Sequence, residues 1–434
     1  MVKFLWPLAM AALVAPMHAA AQQPEPQQPL QQPALTLRAA LALAAQANPV
    51  LAAARYEAEA QEGLVMQASA RPNPTLSFER VGRSGGSGNG GGSNGSGEAD
   101  DEKTWQLSQQ LELGGKRAAR VAAAERGRDA AGAALEAQRM ELHASVVTAF
   151  YDVLVAQERL RLAQDGSELA QRATQAANKR VAAGKVSPVD ETKARLAEAN
   201  VRLEQSNATA ALASARQRLA AHWRHPGGAT PGFERVEGDI GVLPEPPSSA
   251  AMESWRARSP ALMPARLELA RRKAVSQLEL ANRAPDLTLS VGSKRMADPS
   301  RSQTVLGLSL PLPLFDRNQG NVLAAQRQAD KADAELAAAA IRLESELSQA
   351  VQELRAARQA LDLLRNEILP GAQQASEAVR KGFEFGKHNF IDVLDAQRTL
   401  LQARAQYLTT LSDGHRAAAA IERILGHSTP NNQH

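Results

Sequence analysis

The feature of this sequence that most limits its possible folds is an internal duplication. Residues 111–135, LELGGKRAARVAAAERGRDAAGAAL, align without a gap to residues 312–336, LPLFDRNQGNVLAAQRQADKADAEL. The shared residues that are not alanine include Val121 and Val322, Arg126 and Arg327, Asp129 and Asp330, and Leu135 and Leu336. A further match upstream relates residues 48–57 to residues 259–268. Repeated units bury apolar surface by packing on one another, so two similar halves are expected.

A run of glycine, serine and asparagine at residues 84–97 lies inside the first unit. Asn48 and its counterpart Ser259 are 211 positions apart, whereas Gly184 and its counterpart Gly386 are 202 positions apart. The first unit therefore holds extra residues, and the run lies where they are inserted. This predicts an enlarged loop inside the first unit rather than a linker between two domains.

Both units contain a pair of short segments in which apolar and polar residues alternate. The first unit has PTLSFERV and TWQLSQQLEL on either side of the glycine-rich run, and the second has DLTLSVG and TVLGLSLPL. A period of two residues is typical of strands with one apolar face. Strands of about ten residues with this alternation match the weak signature of a membrane-spanning barrel. An amphipathic hairpin lying on a soluble core is the alternative.

Two long stretches with almost no Pro or Gly predict helical rods at residues 116–183 and 321–381, each followed by a returning helix at 189–222 or 390–425. About 65 residues of helix reach on the order of 100 Å. A heptad seam is expected on the second rod at Leu347, Val351, Leu354, Leu361, Leu364 and Ile368, with counterparts at Val146, Phe150, Val153 and Leu160. A structural coiled coil is the alternative, but it would not need the strands.

Composition supports long helices over a compact globule, because aromatic residues make up only 3% of the chain. The predicted fold is mainly α with a small β part. Its expected divisions are a signal peptide at 1–21, a Gln/Pro-rich lead at 22–34, repeat one at 35–222 (hairpin 74–113, loop 82–103, tip 182–191), an inter-repeat equatorial segment at 223–248, repeat two at 249–425 (hairpin 286–314, tip 384–393) and a tail at 426–434.

The first 21 residues read as an export signal, with Lys3, an apolar stretch and a small-residue cleavage site at Ala19 to Ala21. No later apolar run approaches ~18 residues, so a membrane segment would have to be made of strands. The chain has no cysteine, which excludes a lipoprotein, thiolate metal sites and cysteine nucleophiles. A formal net charge of only +4 argues against nucleic acid as a partner.

Four strands cannot close a membrane barrel, which needs about eight or more. Open strand edges in hydrocarbon would leave unpaired backbone groups that cost several kcal/mol each. Several copies of the chain are therefore expected to contribute hairpins to one barrel. Their rods would then form a helical tube that continues its lumen.

The sequence resembles the TolC-type outer-membrane factors of Gram-negative bacteria over residues 35–426. The similarity lies in the duplicated plan and in LELGGKR (111–117), LPLFDRNQG (312–320) and GKHNFIDVLDAQ (386–397), and the first two are most similar to the cobalt-zinc-cadmium heavy-metal resistance branch. The resemblance implies a TolC-like homotrimer with a 12-stranded barrel in the outer membrane and an α-helical tunnel in the periplasm. It also implies docking, through a periplasmic adaptor (membrane fusion) protein, onto a proton-driven RND-type inner-membrane transporter. The glycine-rich run would be an extracellular loop.

The residues at the tips carry the candidate site. Gly184, Lys185, Gly386, Lys387 and His388 are expected at the two turns and at the contact with the adaptor. Asp190 and Asp392 can cap the returning helices. The resemblance implies that Asp392, Asp395 and Asp190 form a periplasmic gate, where carboxylates would attract cations.

The tip departs from some family members, which have a tyrosine and an arginine where this chain has Phe383 and His388. A lock of the closed mouth through those two positions is therefore not predicted.

No catalytic motif, cofactor site or fixed metal site is expected. The chain has eight histidines, none at i, i+4 spacing, and a lone histidine is more often structural or solvated than a ligand. The predicted function is a passive outer-membrane exit duct for toxic small solutes, above all heavy-metal cations. A duct for drugs or for type I protein secretion is the alternative, and a periplasmic adaptor or a structural coiled coil is the alternative from another class.

Overall fold

The computed structural model of the protein describes residues 34–82, 101–184, 186–224, 232–296 and 302–426. The predicted signal peptide, nearly all of the Gln/Pro-rich lead, the glycine-rich run and the tail after residue 426 lie outside these ranges. The expectations made for them are therefore not addressed by the structure.

The first unit contains, within the described residues, short and long helices, and capping side chains set the starts of the two short ones. They are α1 (Leu37–Ala47), α2 (Pro49–Ser69), α3 (Lys116–Ala182) and α4 (Pro188–Ala221). The Thr36 hydroxyl accepts a hydrogen bond from the backbone of Ala39 at the start of α1, and the Asn48 side chain accepts one from Leu51 at the start of α2. With 67 residues, α3 is an unbroken rod about 100 Å long.

The second unit repeats this plan with one interruption. Its helices are α5 (Ser249–Arg258), α6 (Met263–Ala281), α7 (Gln319–Leu363), α8 (Leu369–Glu384) and α9 (Phe390–Leu425). A π-helical turn at Leu364–Ile368 joins α7 to α8. We call α3 rod one, and α7, the π turn and α8 together rod two.

The predicted heptad seam is wrong at its last position, Ile368, because the π turn interrupts the helix there. Leu347, Val351, Leu354, Leu361 and Leu364 are buried. Ile368 is 47% exposed, because a π turn contains one residue more than an α turn and rotates the positions that follow away from a seam read at constant period. Pro370, which has no N–H and collides with the preceding turn of a regular helix, lies two residues after the end of the π turn.

One antiparallel sheet joins the hairpins of both units. Its strands are β2 (Thr75–Gly82), β3 (Asp101–Leu111), β5 (Leu287–Arg295) and β6 (Ser302–Ser309), in the order β2-β3-β5-β6. The two hairpins meet along β3 and β5, where Trp105 lies opposite Ser293 and Leu107 opposite Val291. β2 and β6 are the edges of the sheet in the described part of the chain.

The two faces of this sheet differ sharply, as the alternation predicts. The register places on one side the apolar residues Leu76, Phe78, Trp105, Leu107, Leu289, Val291, Leu306 and Leu308. All of them are exposed, up to 79% for Leu306. We call this side the apolar face. The other side carries Ser77, Thr104, Gln106, Ser108, Thr288, Ser290, Gln303, Ser309 and the glycines Gly292 and Gly307.

Polar contacts fix the sheet on the rods. The carboxylate of Asp286, just before β5, accepts hydrogen bonds from Lys116 at 2.6 Å, from the Gln110 side chain at 2.8 Å and from the backbone of Leu113 at 3.3 Å. These partners belong to the first unit, and Asp286 belongs to the second. The junction between sheet and helices is therefore shared by both units.

The inter-repeat segment contributes one short strand and several core residues within its described part. Its strand β4 (Val236–Glu237) pairs in parallel with β1 (Leu35–Thr36), which no local pattern in the sequence predicts. Val236 belongs to the core around Phe150, Leu243 belongs to the core around Leu354, and Ile240 packs against both. The segment therefore packs against the cores of both units and connects them.

A buried histidine lies at this crossing. The His415 ring on α9 stacks on Tyr151 of α3 with centroids 3.6 Å apart, and its Nε2 lies 3.0 Å from the carbonyl oxygen of Ile240. Burial lowers the pKa of His415 below its ordinary 6.5, although the Ile240 carbonyl and Asp239 oppose the shift. Burial and Asp239 raise the pKa of Tyr151. The folded protein therefore binds a proton at His415 less readily than the unfolded chain does.

Stability is expected to fall as the pH drops below about 6.5, because the unfolded chain then binds a proton that folded His415 resists. The contribution is fully present above that pH. In His415→Gln, which keeps a donor for Ile240 but does not titrate, the unfolding midpoint should depend less on pH between 8 and 5.5. Burial also lowers the pKa of His222. This residue is present in the wild type and in His415→Gln, so its contribution is the same in the two proteins. An equal pH dependence in both would refute the role of His415.

Candidate functional site

The candidate site is the pair of turns at the free ends of the long helices. In the first turn, Gly184 has a φ of 67° and its N–H donates to the carbonyl of Val181 at 2.9 Å. Glycine adopts this left-handed conformation without strain and so provides a favourable end for α3. Lys185, predicted for this turn, lies outside the described residues.

The second turn is a complete Schellman motif. Gly386 has a φ of 72° and donates to the carbonyl of Phe383 at 3.1 Å, while Lys387 donates to the carbonyl of Gly382 at 2.7 Å. The Lys387 side chain is exposed. Both tips therefore use glycine to reverse the chain, and the second presents a cation to solvent.

The caps of the returning helices differ from the prediction. Ser187 is the N-cap of α4 and Asn389 is the N-cap of α9, so neither aspartate holds the cap position itself. Asp392 instead completes a capping box: its N–H donates to the Asn389 side chain at 2.9 Å, and its carboxylate accepts from the Asn389 N–H at 3.1 Å. Asp190 lies in the first turn of α4, where the helix dipole favours an acid.

His388 is positioned by its neighbours on both helices. Its Nδ1 lies 3.5 Å from a carboxylate oxygen of Asp392. A Cβ atom on Gly382 would come within 2.2 Å of the imidazole, so glycine at this position lets the ring take its observed orientation. His388 is thus an accessory to the capping box, and at 46% exposure it is also open to a partner.

The candidate gate acids are not gathered into one cluster within a chain. Asp392 and Asp395 lie on the first turns of α9, Asp395 is exposed, and Asp190 belongs to the other tip. Among the described residues, no three His, Asp or Glu side chains are close enough to hold a metal ion. Several copies would have to bring these acids together for them to act as a ring.

One contact between the tips was not predicted. The Arg180 guanidinium on α3 lies 3.9 Å above the ring of Phe383 on α8, and its Nη2 donates to the Phe383 carbonyl at 3.4 Å. Phe383 also packs on a small apolar cluster at Ala177 and Ala194. Phe383 thus connects the two rods. The 203 positions that separate the partners explain why local patterns gave no signal.

Among the described residues, no single helix is long and apolar enough to cross a membrane. α1 and α2 meet that test only when taken together, and they are bent by 48° where they join.

Comparisons with known proteins give consistent results. A model of the family "Outer membrane efflux protein" matches residues 40–223 and 251–427. The cobalt-zinc-cadmium resistance protein CzcC of Cupriavidus metallidurans is 43% identical over 90% of each chain. The nickel and cobalt resistance protein CnrC of the same organism is 28% identical over 77% of this chain and 74% of that one. The crystal structure of the outer membrane protein VceC from Vibrio cholerae superposes with a TM-score of 0.73 at 20% identity, covering 91% of this chain and 96% of VceC.

Proposed function

Because the chain belongs to the outer membrane efflux protein family, we propose that it is the exit duct of a tripartite pump for heavy-metal cations. The predicted family, the TolC-like fold and the role in outer-membrane efflux are confirmed. So is the prediction that the chain is not an enzyme, since the family is one of channels. A periplasmic adaptor or a structural coiled coil is excluded by the same membership.

The observation that carries the proposal is the four-stranded sheet, which has one exposed apolar face and two unpaired edge strands in the described part of the chain. A soluble protein rarely exposes so continuous an apolar surface, and lipid is the medium in which it is stable. Edges β2 and β6 leave backbone groups that hydrocarbon cannot satisfy. Three copies, each supplying four strands, would pair edge to edge into a 12-stranded barrel with the apolar face outward.

The rods would then line a tube below the barrel. The two rods of each chain run from the sheet to the tips, and three chains supply six of them. The tips are thus the periplasmic entrance, where Asp392, Asp395 and Asp190 of three copies would form a ring of negative charge. Such a ring favours cations over anions.

Two observations support metal cations as the substrate. CzcC, whose name gives cobalt, zinc and cadmium resistance, is 43% identical over 90% of the chain, and the acids at the tip suit divalent cations. The described residues hold no metal-binding cluster, which suits a duct that must let its substrate leave. The choice of metal is therefore assigned to the pump.

The partners of the tips are a periplasmic adaptor and, through it, an RND-type transporter in the inner membrane. Lys387 and His388 are exposed on the second tip, and Lys185 is the matching residue of the first. We assign Gly184, Lys185, Gly386, Lys387 and His388 to the contact with adaptor hairpins. The glycines shape the turns, and the cations supply complementary charge.

Expression of the chain with its adaptor and pump should restore growth in cobalt, zinc or cadmium to cells that lack the outer-membrane component. The reason is that the duct completes the export path. Restored resistance to drugs but not to these metals would instead favour the drug-efflux alternative. Release of a secreted protein would favour the type I secretion alternative.

A variant with both tip cations reversed tests the docking assignment separately from the duct. Lys185→Glu with Lys387→Glu should remove the resistance while leaving the outer-membrane trimer intact, because the substitutions are far from the strands that form the barrel and Lys387 is exposed. Full resistance in this variant would refute the adaptor contact but not the duct.

A further inference from the structure

A row of three cations crosses one end of the apolar face. Arg80 of β2 lies opposite Lys103 of β3, and Lys103 lies opposite Arg295 of β5. Arg80 follows Phe78 by two residues, so the period of a strand places both on the same side of the sheet. Residues that lie opposite each other on neighbouring strands also share a side. We call Arg80, Lys103 and Arg295 the cation row.

The cation row lies at the end of the sheet that is remote from the rods. β2 ends and β3 begins at this end, whereas α3 begins at Lys116, beyond the other end of β3. Directly beside the row lie Phe78 and Trp105, which are 51% and 53% exposed and have ring centroids 4.6 Å apart. Aromatic rings are typical of the boundary between hydrocarbon and head groups around a membrane barrel. The row therefore lies at the level of lipid head groups.

The end of the sheet near the rods has a different chemistry. Beyond β6 the chain continues with four exposed apolar residues, which reach 92% exposure at the last: Leu310, Leu312, Leu314 and Phe315. The two ends therefore suit leaflets of different composition. The tips are the periplasmic entrance in the proposed function, and on that basis the cation row faces the outer leaflet of the outer membrane.

Charges on the opposite face of the sheet, at the same level, are matched by acids. Lys294 is next to Arg295 in β5 and so points to the other side, where its Nζ lies 2.7 Å from a carboxylate oxygen of Glu102. The register places Glu79 on that side as well. The four positions of the row itself hold three cations and Ser302, which lies opposite Arg295. The apolar face thus ends in a concentration of basic side chains.

Such a row gains from an anion outside the sheet. Like charges directly opposite one another on neighbouring strands destabilise a sheet, and an anion that touches several of them reduces this repulsion. Arg80 and Lys103 also take part in interactions within the chain, so the site does not require them to be unpaired. All three cations are exposed. Their long side chains can extend from the lipid face toward the head groups, where charge is tolerated.

The width of the row indicates what kind of anion fits it. Neighbouring strands are about 4.8 Å apart, so three strands spread the cations over about 10 Å. A head group with several phosphates can reach all three, whereas a single phosphodiester cannot. Phosphatidylglycerol carries one phosphodiester. Lipopolysaccharide, the glycolipid of the outer leaflet in Gram-negative bacteria, carries several phosphate groups.

We propose that the cation row of each chain binds the phosphate groups of one lipopolysaccharide molecule. Arg80 and Arg295 offer planar guanidinium groups that suit bidentate bonds to phosphate, and Lys103 adds a point charge between them. Phe78 and Trp105 contact the upper part of the acyl chains. The site lies outside the barrel, so it anchors the trimer at a fixed depth and takes no part in the export path. It rests on the proposed function only for its orientation toward the outer leaflet.

Binding of lipopolysaccharide to the purified trimer, exchanged into detergent to remove bound lipid, tests the site. Arg80→Gln with Lys103→Gln and Arg295→Gln should weaken binding at least about 10-fold, because charge-assisted hydrogen bonds to phosphate are lost. The readouts are the amount of lipopolysaccharide that co-elutes with the trimer and the rise in the temperature at which the trimer dissociates. Arg80→Lys with Arg295→Lys keeps the charges and should retain most of the binding.

A second triple variant controls for the loss of charge. Arg327→Gln with Lys331→Gln and Arg342→Gln removes three cations from exposed positions on α7, far from the sheet, and should bind like the wild type. Wild-type trimer is also tested with dephosphorylated lipopolysaccharide, with phosphatidylglycerol and with inorganic phosphate. Intact lipopolysaccharide should stabilise the trimer far more than any of these. This comparison needs no variant, so it decides the matter even if the cation-row variant does not assemble.

Equal binding of lipopolysaccharide by the wild type and the cation-row variant would overturn the site. Equal stabilisation by the dephosphorylated form, by phosphatidylglycerol or by inorganic phosphate would overturn it as well, and so would an equal loss of binding in the α7 variant. A trimer that restores metal resistance but gives any of these results refutes the lipid site and leaves the duct in place, so the two proposals fail separately.

Discussion

Replacement of Leu306 by arginine is expected to abolish the outer-membrane trimer, whereas replacement of its neighbour Val305 by arginine is expected to leave it intact. Leu306 is already 79% exposed within one chain, so its loss would matter little to a soluble fold. On a lipid-facing strand, an arginine near the middle of the bilayer costs about 2–4 kcal/mol per copy. A trimer would incur this cost three times, once in each copy.

Val305 is a matched control because it lies one residue away on the opposite face of β6. It pairs with Gly292, so no side chain opposes the new arginine, and an inner face turned to a water-filled lumen accepts charge. The measurement is the amount of heat-modifiable trimer in the outer-membrane fraction. If both variants assemble equally well, the apolar face does not meet lipid. If both fail, the strand tolerates no charge on either side, and the assignment of faces is wrong.

The face assignment could be made from sequence because it depends on a local property. Successive side chains of a strand point to opposite sides, so Leu306 and Leu308 had to lie together whatever their partners. The pairing of β3 with β5, by contrast, joins Trp105 to Ser293. Nothing within either segment specifies that neighbour, and the duplication alone did not indicate it.

The sequence contains a signal for the π turn, but a search for a constant heptad period does not detect it. A heptad seam assumes a constant period, and it predicted Ile368 as a core position. The shift of the tip glycines by one position, together with Pro370, shows the extra residue once both units are compared over their full length. The signal was therefore in the comparison of repeats and not in hydrophobic periodicity.

The two aspartates were predicted at the right helix starts, and Asp392 takes part in its cap, but neither occupies the N-cap position itself. A preference for aspartate at N-caps pointed to Asp190 and Asp392, whereas Ser187 and Asn389 occupy these positions. The pattern of a polar cap followed three residues later by an acid would have selected Asn389 with Asp392. The contact of Arg180 with Phe383 had no such pattern, because it depends on how two distant helices pack.

Removal of the tip charges by Asp392→Asn with Asp395→Asn is expected to lower the preference of the channel for cations several-fold. Six carboxylates from three copies around a narrow entrance would create a strong negative potential, and focusing in a constriction raises the local cation concentration by roughly 10-fold or more. Asparagine keeps the shape of aspartate and an oxygen that can still accept from the Asn389 N–H. The measurement is the cation-to-anion permeability ratio of single channels in planar bilayers, together with block by divalent cations.

Two controls separate charge from helix capping. Asn389→Ala breaks the capping box, which typically costs about 0.5–2 kcal/mol, but leaves both charges; it should lower stability and leave selectivity nearly unchanged. Asp413→Asn removes a charge from an exposed position higher on the same helix, where Asp413 pairs with Arg416 at 3.3 Å, and it should change neither. Unaltered selectivity and divalent block in the double variant would show that the acids of the second tip serve the helix start alone. In that case the selectivity of the duct must arise above the tips.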